Sequence, residues 1–461
     1  MIPRIVVAGT ASGVGKTLIA AGVIGALRRR GLVVQPFKCG PDYIDPGWHG
    51  FAAGRPCRNL DIWMLGETAM REAFERGCTG ADLAVIEGVM GLFDGARFDS
   101  SAHSTADIAA LLGAPVLLVI DIAAAGRSAA ATALGFQRFD PALPVAAVAL
   151  NRAGSEGHAR GCAGAIAEVS GLPTLGWLPT SPALQLPERH LGLQLAAETD
   201  RRAETLSEAA DAVAEGFDLD ALVGLARSAS PLSPAPRSPA PTAADGPALA
   251  IARDAAFSFY YEDDLDLLAA EGVRLVPFSP VAGDRLPAGA SGVYLGGGYP
   301  ELFARELADN RPLWRDIGAL HERGAPILAE CGGFMALTEA LIDGAGVRHT
   351  MAGLVPGVAR MTPRIAALGY REAEACTDSA LAPVGERLRG HEFHFSIWEI
   401  ASPPFPAWRV EGPYMSEPAL IGHAEHGLIA SYLHIPLAQR PGLARRLAAT
   451  LRAACGAGLR A

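Results

Sequence analysis

The chain has 461 residues, of which half are hydrophobic and 19% are charged, and its formal net charge is −10. This length predicts two or three domains, this composition excludes general disorder, and the acidity disfavours binding to nucleic acid or to an acidic membrane surface. No apolar run is long enough to span a membrane, no secretory signal is visible, and the seven cysteines lack metal-ligand spacing, so a cytoplasmic protein is expected.

Short apolar runs alternate with helical stretches along the first half of the chain. Residues 5–8 predict a strand that ends in a glycine-rich loop, and residues 16–30 predict a helix with a basic last turn. Further buried strands are predicted at 32–37, 83–86, 115–120, 145–150 and 174–178, and a helix at 105–112. Strands separated by helices in this way are typical of a parallel, doubly wound α/β sheet.

A phosphate-binding loop is predicted between the first strand and the first helix, in the sequence GTASGVGKT at 9–17. Glycines let backbone N–H groups approach phosphate oxygens, and the start of a helix adds partial positive charge. The Lys16 ammonium is expected on the β and γ phosphates and the Thr17 hydroxyl on Mg²⁺. Thr10 stands where the strict motif has glycine, which leaves this mechanism intact. The predicted nucleotide-binding residues are Thr10, Ser12, Gly13, Val14, Gly15, Lys16, Thr17 and Lys38.

Lys16 and Lys38 are the only lysines among 39 basic residues. An ammonium is a compact charge suited to phosphate oxygens, and arginine is not a neutral replacement for it. Lys38 ends the second predicted strand. Because the carboxyl ends of neighbouring parallel strands meet at one edge, it is expected to reach the nucleotide from the side opposite Lys16. Asp42 and Asp45 follow at this edge as oxygen ligands or acid–base groups, and a solvated loop with two acids is the alternative.

Glu87 follows a buried strand, where a carboxylate is costly unless it is paired or bound to a metal. Its place is that of a Walker-B acid, so a Mg²⁺ site formed by Thr17, Asp45 and Glu87 is predicted. Asp94 lies in a loop between glycines, where it either contacts substrate or forms a turn.

The proline-rich segment 228–247 predicts a semi-extended linker between domains at 1–227 and 248–461. The second half repeats the alternation of the first. Strands are predicted at 249–252, 274–277, 292–295 and 326–329, a helix at 265–271, and later strands at 390–396 and 427–433. The second half is therefore expected to be another α/β domain.

A nucleophile is predicted at Cys331, at the sharp turn between an apolar strand and a helix in the sequence AECGGFM. In such an elbow the side chain is exposed at the sheet edge, and the start of the helix favours the thiolate. The N–H groups of Gly332 and of Gly297, which lies in the glycine-rich loop after 292–295, are expected to form an oxyanion hole. A buried structural cysteine is the alternative.

His434, at the end of the last predicted strand, is the expected base for Cys331. His391 and His394 compete for this role. Their spacing of three does not match a metalloprotease helix, so they are expected to be structural or adjacent to substrate.

Together these motifs resemble the corrinoid a,c-diamide synthases of cobalamin biosynthesis over nearly the whole chain apart from the linker. The resemblance rests on GTASGVGKT, FKCGPDYIDP, EGVMGLFDG, YLGGGYPE, AECGGFM, LGYREA, RGHEFHFS and ASYLHI. The first half is also similar to dethiobiotin synthetase and the second to class I glutamine amidotransferases. The resemblance implies a P-loop NTPase-like domain followed by a glutamine amidotransferase-like α/β domain.

The resemblance implies that Cys331 attacks the side-chain amide of glutamine, that His434 raises its nucleophilicity, and that ammonia passes to the first domain. There, ATP would activate a carboxylate as an acyl phosphate, and ammonia would displace phosphate, first on the c and then on the a acetate. The residues matching the family's substrate-binding positions are Asp42, Tyr43, Ile44, Glu87 and Asp94. Many amidotransferases have a glutamate two residues after the base, where this chain has Pro436, so only a Cys–His dyad is inferred. The resemblance is also compatible with a homodimer.

Hydrogenobyrinate is the expected substrate, because the arginine-rich, lysine-poor composition suggests a GC-rich aerobic bacterium. Cobyrinate and a nickel-sirohydrochlorin are alternatives for the same reaction. Arginines such as Arg55, Arg58 or Arg371 are expected to supply positive charge for the polyanionic substrate. An alternative of another class is a P-loop ATPase switch with an inactive second domain, which would release no ammonia from glutamine; the presence of Cys331 and His434 argues against it.

Overall fold

The computed structural model describes residues 2–186, 188–189, 192–193, 201–232, 246–413 and 415–458. The chain divides into two compact units, Met1–Arg237 and Ser238–Ala461. The predicted linker lies mostly outside the described residues, which include only 228–232 and 246–247 of it. Within the described ranges, no helix is both long enough and apolar enough to cross a membrane.

The first unit is built on seven parallel strands and a short two-stranded ribbon. The strands are β1 (Arg4–Gly9), β2 (Val34–Cys39), β3 (Arg58–Leu60), β4 (Leu83–Glu87), β5 (Val116–Asp121), β6 (Val145–Ala153), β7 (Thr174–Pro179), β8 (Glu188–Arg189) and β9 (Gly192–Leu193). The helices are α1 (Lys16–Arg29), α2 (Ile44–Ala53), α3 (Ile62–Gly77), α4 (Thr105–Leu111), α5 (Ser128–Phe139), α6 (Glu156–Ser170), α7 (Arg202–Gly216) and α8 (Leu219–Arg227). The sheet order is β3-β2-β4-β1-β5-β6-β7.

This sheet is covered on both faces, because successive residues of its strands enter different hydrophobic clusters. In β1, Ile5 and Val7 pack on the side of α1, whereas Val6 and Ala8 pack on the opposite side. Parallel sheets buried on both faces have nearly continuous apolar strands, which is the pattern that the sequence shows. The prediction of a doubly wound α/β fold is therefore confirmed.

The second unit has a central six-stranded sheet and two smaller sheets. Its strands are β10 (Ala248–Ala252), β11 (Arg274–Phe278), β12 (Ala290–Leu295), β13 (Ile327–Glu330), β14 (Thr338–Ile342), β15 (Arg348–Thr350), β16 (Val355–Met361), β17 (Ala367–Ala375), β18 (Arg387–His394), β19 (Ser396–Glu399), β20 (Trp408–Glu411), β21 (Ala419–Ile421), β22 (His423–Glu425) and β23 (Leu428–Ser431). Its helices are α9 (Glu262–Ala270), α10 (Ala304–Asp309), α11 (Arg311–Glu322), α12 (Gly332–Leu337) and α13 (Pro441–Gly458).

The central sheet has the order β11-β10-β12-β13-β23-β22 and is parallel except for the pair β22–β23. The smaller sheets have the orders β15-β14-β16-β19 and β18-β17-β20-β21. The single strand predicted at 390–396 is wrong: β18 pairs with β17 and β19 pairs with β16, so the chain changes sheets at Phe395. The Phe395 carbonyl accepts a hydrogen bond from the Thr362 N–H at this crossing. Polar and apolar residues continue to alternate through Phe395, so the sequence pattern did not reveal that one strand ends there and another begins.

Candidate active sites

The phosphate loop joins β1 to α1 in the first unit. Gly13 and Gly15 have φ angles of 76° and 92°, a left-handed conformation that glycine adopts without the steric cost of a Cβ. Ser12 is exposed at the tip of the loop, and Lys16 Nζ donates a hydrogen bond of 2.9 Å to the Ala11 carbonyl. Burial lowers the pKa of Lys16 to about 8. The loop thus has the open backbone and the lysine that a phosphate requires.

Two contacts attach this loop to the sheet. The Thr10 N–H donates to the Val119 carbonyl of β5 at 3.3 Å. The Asn151 side-chain amide donates to the Val14 carbonyl at 2.9 Å, and it lies so close to Gly15 that a Cβ there would clash with it. Asn151 therefore fixes the conformation of the loop, a role that its position in an apolar strand did not reveal.

Lys38 and Glu87 are buried register partners in the adjacent strands β2 and β4. Lys38 Nζ lies 3.0 Å from Glu87 Oε1, 2.6 Å from Asp45 Oδ2 and 4.0 Å from Asp42 Oδ2. Burial alone would lower the pKa of Lys38, but Asp45 and Glu87 hold it well above its usual range. A buried ammonium of this kind is tolerated only because its carboxylate partners surround it.

Glu87 also contacts two other side chains. Thr17 Oγ1 donates to Glu87 Oε1 at 2.8 Å, and His49 Nε2 is hydrogen-bonded to Oε2. Burial alone would raise the pKa of Glu87, but Lys38 and His49 lower it to about 2. His49 is fully buried in α2, and sequence analysis missed it. The available signal was its position one helical turn after Asp45, which places both side chains on one face of α2.

The other predicted substrate-binding residues lie in the loops after β2 and β4. Asp42 Oδ1 accepts the Ile44 N–H at 2.7 Å at the start of α2. Burial and the charge of Asp45 raise the pKa of Asp42 to about 7. Tyr43 and Ile44 are partly exposed. Asp94 accepts a backbone N–H of its own turn at 2.7 Å, so it shapes the loop in which it lies.

Cys331 occupies the turn between β13 and α12, with φ 48° and ψ −102°. A non-glycine residue adopts this conformation only under strain, and such strain is concentrated at functional sites. The Cys331 N–H donates to the Ser431 carbonyl of β23 at 2.8 Å, which fixes the turn. A Cβ on Gly333 would clash with the Leu295 carbonyl, so α12 begins directly against β12. This is the geometry of a nucleophile elbow.

His434 lies beside Cys331, three residues after the end of β23. Two backbone hydrogen bonds of 2.9 and 3.0 Å join it to His391. A Cβ on Gly297 would lie 2.5 Å from His434 Cε1 and 3.2 Å from Nε2, so this glycine packs against the imidazole. Burial alone would lower the pKa of His434, but hydrogen bonding to Cys331 and Glu330 and their negative charges raise it to about 10. The imidazole is therefore suited to remain protonated beside a thiolate.

A second glycine of the loop after β12 approaches the elbow. A Cβ on Gly332 would lie 3.0 Å from the backbone nitrogen of Gly298 and 2.8 Å from Pro300 Cδ. The Gly298 N–H is therefore a candidate oxyanion donor together with the Gly332 N–H, and it was not among the predicted donors. Gly298 has a φ of 153°, and a Cβ there would clash with the Ala256 carbonyl.

Comparison with known proteins agrees with this division into two sites. Residues 5–193 match the CobQ/CobB/MinD/ParA nucleotide binding domain, and residues 248–442 match the CobB/CobQ-like glutamine amidotransferase domain. The chain is 42% identical to cobyrinate a,c-diamide synthase from Dehalococcoides mccartyi, over 96% of this chain and 97% of that protein.

Two further relatives are similar over the same extent. Identity is 43% with cobyrinate a,c-diamide synthase from Salmonella typhimurium, over 97% of this chain and 98% of that protein. It is 42% with hydrogenobyrinate a,c-diamide synthase from Streptomyces coelicolor, over 96% of both chains. The chain belongs to the a,c-diamide synthase family. The resemblance that the motifs indicated is confirmed, and the phosphate loop and Cys331 fall in the nucleotide-binding and amidotransferase domains, respectively.

In this member of the a,c-diamide synthase family, Glu330 faces His434 from the residue before the nucleophile. Its Oε2 lies 3.6 Å from His434 Nδ1 and accepts the Tyr294 hydroxyl at 2.8 Å. Its Oε1 accepts the Ile435 N–H at 3.1 Å. Sequence analysis named no group that orients His434. The sequence contains one feature that could have identified Glu330, namely an acid at the end of an apolar strand. The same feature led to the prediction of a role for Glu87.

The two other histidines near this domain's site have local partners. The His394 ring stacks on Tyr432 with centroids 3.8 Å apart. His391 packs edge-on against the ring of Tyr370. In the part of the chain that the structure describes, no group of three or more His, Cys, Asp or Glu side chains is arranged to hold a metal ion.

Two of the three expected substrate arginines, Arg371 and Arg55, have partners within their own unit. Arg371 is buried in an ion pair with Glu392, with Nε and Oε2 2.7 Å apart. Arg55 donates to Gln35 Oε1 at 3.1 Å and to the Thr79 carbonyl at 2.9 Å. Both guanidinium groups therefore stabilise the fold around them.

Proposed function

We propose that the chain transfers ammonia from glutamine to the a and c acetate carboxylates of a cobyrinate-type corrinoid, with hydrolysis of ATP. The observation that supports this most directly is the combination, in one chain, of the strained Cys331 elbow beside His434 and a phosphate loop whose Thr17 contacts Glu87. The relatives that align over nearly the whole chain are named for this amidation. The proposed reaction requires ATP and glutamine, and free cysteines are typical of a reducing compartment, so we place the protein in the cytoplasm.

Glutamine hydrolysis would take place in the amidotransferase domain. The Cys331 thiolate attacks the side-chain amide carbon, and the Gly332 N–H, together with the N–H of Gly297 or Gly298, stabilises the charge that develops on the amide oxygen. The His434 imidazolium gives its proton to the leaving nitrogen, so the carbon–nitrogen bond breaks and ammonia departs. His434 then accepts a proton from the water that cleaves the thioester to glutamate.

Amide formation would take place in the nucleotide-binding domain. A substrate carboxylate oxygen attacks the γ-phosphorus, the bond to the bridging oxygen breaks, and ADP leaves. Ammonia attacks the carbonyl carbon of the resulting acyl phosphate, phosphate leaves, and the nitrogen loses a proton to give the amide. Lys16 offsets the negative charge of the phosphates, and Lys38 supplies a second positive charge at the same edge of the sheet.

The side-chain oxygens of Thr17, Glu87 and Asp45, which lie at the start of α1, the end of β4 and the start of α2, fit a magnesium ion. Thr17 Oγ1 and Glu87 Oε1 are 2.8 Å apart, and Asp45 lies in the same cluster, paired with Lys38 at 2.6 Å. Mg²⁺ is usually bound through one or two carboxylates together with substrate phosphates, so this donor set is sufficient. Thr17 and Glu87 would hold the ion, with Asp45 next to them. When bound, Mg²⁺ offsets the charge of the transferring phosphate.

Hydrogenobyrinate is the first candidate substrate, on the composition of the chain. Cobyrinate is the second, because relatives named for cobyrinate and for hydrogenobyrinate are almost equally similar to this chain. The purified chain should be incubated with ATP, Mg²⁺, glutamine and each acid separately. Mass spectrometry should then detect a monoamide followed by a diamide of the true substrate.

Isotopic labelling tests the acyl phosphate in the same experiment. If the substrate carboxylates are labelled with heavy oxygen, one labelled oxygen should appear in the released phosphate for each amide formed. An enzyme that forms the diamide without this transfer would contradict the intermediate. A chain that releases no ammonia from glutamine and amidates neither acid would contradict the proposed function.

A further inference from the structure

The direction of the Glu330 side chain follows from the alternation of side chains along β13. Successive residues of a strand point to opposite faces, and Leu328 and Ala329 indeed belong to two different hydrophobic clusters. Glu330 therefore points to the face of Leu328. The cluster on that face also contains Tyr294 and Ile435. The carboxylate is thus directed at the segment that contains His434.

One carboxylate contacts both the backbone and the ring of this segment. Glu330 Oε1 accepts the Ile435 N–H at 3.1 Å, which fixes the backbone immediately after His434. Glu330 Oε2 lies 3.6 Å from His434 Nδ1. Hydrogen bonds of catalytic groups are often long before substrate binds and shorten in the reacting complex. Glu330 is only 4% exposed, and a buried carboxylate needs such partners.

Tyr294 in turn holds Glu330. Its hydroxyl donates to Glu330 Oε2 at 2.8 Å, and its ring is buried against Tyr260. Burial and the charge of Glu330 raise the pKa of Tyr294, so the hydroxyl remains a donor. The same Oε2 therefore lies between the phenol and the imidazole, and the phenol limits how far the carboxylate can turn.

A second buried acid holds the same segment at Ala438. Asp264 Oδ1 accepts the Ala438 N–H at 3.0 Å, four residues beyond His434. Burial raises the pKa of Asp264 well above its usual range. Asp264 is therefore a natural control, because it is a buried acid that holds the backbone of this segment at Ala438 instead of at Ile435.

We propose that Glu330 is the positioning residue that holds the His434 imidazole toward Cys331, with Tyr294 fixing Glu330. This inference rests on the proposed glutamine hydrolysis. By accepting a hydrogen bond from Nδ1–H, the Glu330 carboxylate leaves Nε2 to face the thiol, and its charge stabilises the imidazolium that forms beside the thiolate. The carboxylate that orients the histidine thus comes from the residue before the nucleophile. The chain therefore does not need the glutamate that many amidotransferases have two residues after the base, where it has Pro436.

The test compares Glu330→Gln, Tyr294→Phe and Asp264→Asn in the full-length chain. Glutamine can still accept the Ile435 N–H but lacks the charge. We expect kcat for glutamine hydrolysis to fall at least about 100-fold in Glu330→Gln, with KM for glutamine little changed. Tyr294→Phe should cause a smaller loss, and Asp264→Asn should remain close to wild type. Amidation with added ammonia should be retained in all three, which shows that the other domain is intact.

The pH dependence of Cys331 alkylation separates positioning from a merely structural role. The charged and titratable groups around this site interact with different members of it. Cys331, Glu330 and His391 interact with His434. Tyr294, Tyr260 and Asp264 interact with Glu330, Tyr432 with Cys331, and Arg371 with His391. With iodoacetamide, the acid limb of the alkylation rate should shift to higher pH in Glu330→Gln, because the imidazolium partner of the thiolate is weakened. An unshifted limb, or a loss of kcat no greater than in Asp264→Asn, would overturn the proposal. A wild-type chain without any glutamine hydrolysis would instead overturn the proposed function.

Discussion

Lys38 Nζ lies 3.0 Å from Glu87 Oε1, and the two residues are register partners in adjacent strands. Asp45 contacts the same ammonium at 2.6 Å. Lys38 thus differs in its surroundings from Lys16, whose ammonium donates a hydrogen bond of 2.9 Å to the Ala11 carbonyl. Lys38 is therefore expected to contribute to stability as well as to charge at the nucleotide site, whereas Lys16 is expected to act mainly on a ligand.

Replacing each lysine by methionine should reveal this difference. Lys38→Met leaves two buried carboxylates without their cation, so the free energy of unfolding should fall by about 3–5 kcal/mol. Lys16→Met removes one hydrogen bond, so the change should be less than about 1 kcal/mol, whereas ATP-dependent amidation should be abolished. Denaturant unfolding and nucleotide binding measure the two effects. Equal stability losses in the two variants would contradict this assignment.

Cys331→Ala separates the two activities. Without the thiolate no glutamyl thioester forms, so glutamine-dependent amidation should disappear, while amidation with added ammonia should continue at the wild-type rate. Glu330→Gln cannot replace Cys331→Ala in this experiment, because it leaves the thiol in place. Loss of the ammonia-dependent reaction in Cys331→Ala would refute the assignment of the two activities to separate domains.

The protonation of His434 predicts the pH range of glutamine hydrolysis. Burial alone would lower the pKa of His434, but contact with Cys331 and Glu330 raises this pKa to about 10. A raised pKa keeps the imidazole protonated at neutral pH, so the proton donor to the leaving nitrogen is lost only as the pH rises through about 10. Ammonia release should therefore decline in that alkaline range. A decline centred near the ordinary histidine value of about 6.5 would contradict the ion pair.

Local patterns in the sequence were sufficient for the phosphate loop and the elbow. Each lies at a strand-to-helix junction, where glycines and an apolar strand are neighbours in the chain. The same patterns placed Lys38 and Glu87 at the ends of buried strands, but they did not show that these two strands are adjacent or that the two side chains form an ion pair. Pairing depends on which strands are neighbours, and this is a property of the folded sheet.

The contacts that sequence analysis did not predict join residues that are far apart in the chain. Glu330 and Ile435 are 105 residues apart, and Asn151 and Val14 are 137 apart. Glu330 meets the His434 segment because β13 and β23 are adjacent in the sheet order. No motif spans such a separation. A buried acid at a strand end indicates that a partner exists without indicating which one it is.

Gly297 provides a test of how closely the imidazole must fit. A Cβ there would lie 2.5 Å from His434 Cε1, well inside ordinary contact distance, so Gly297→Ala must displace the ring. Because a displacement of about 1 Å can cost on the order of 100-fold in rate, glutamine hydrolysis should fall by at least this factor. Ammonia-dependent amidation should be unaffected. Gly442→Ala is the matched control, because a Cβ on Gly442 would meet no atom within 4 Å. Equal ammonia release by the two variants would show that His434 tolerates the movement and that its contact with Gly297 does not matter for catalysis.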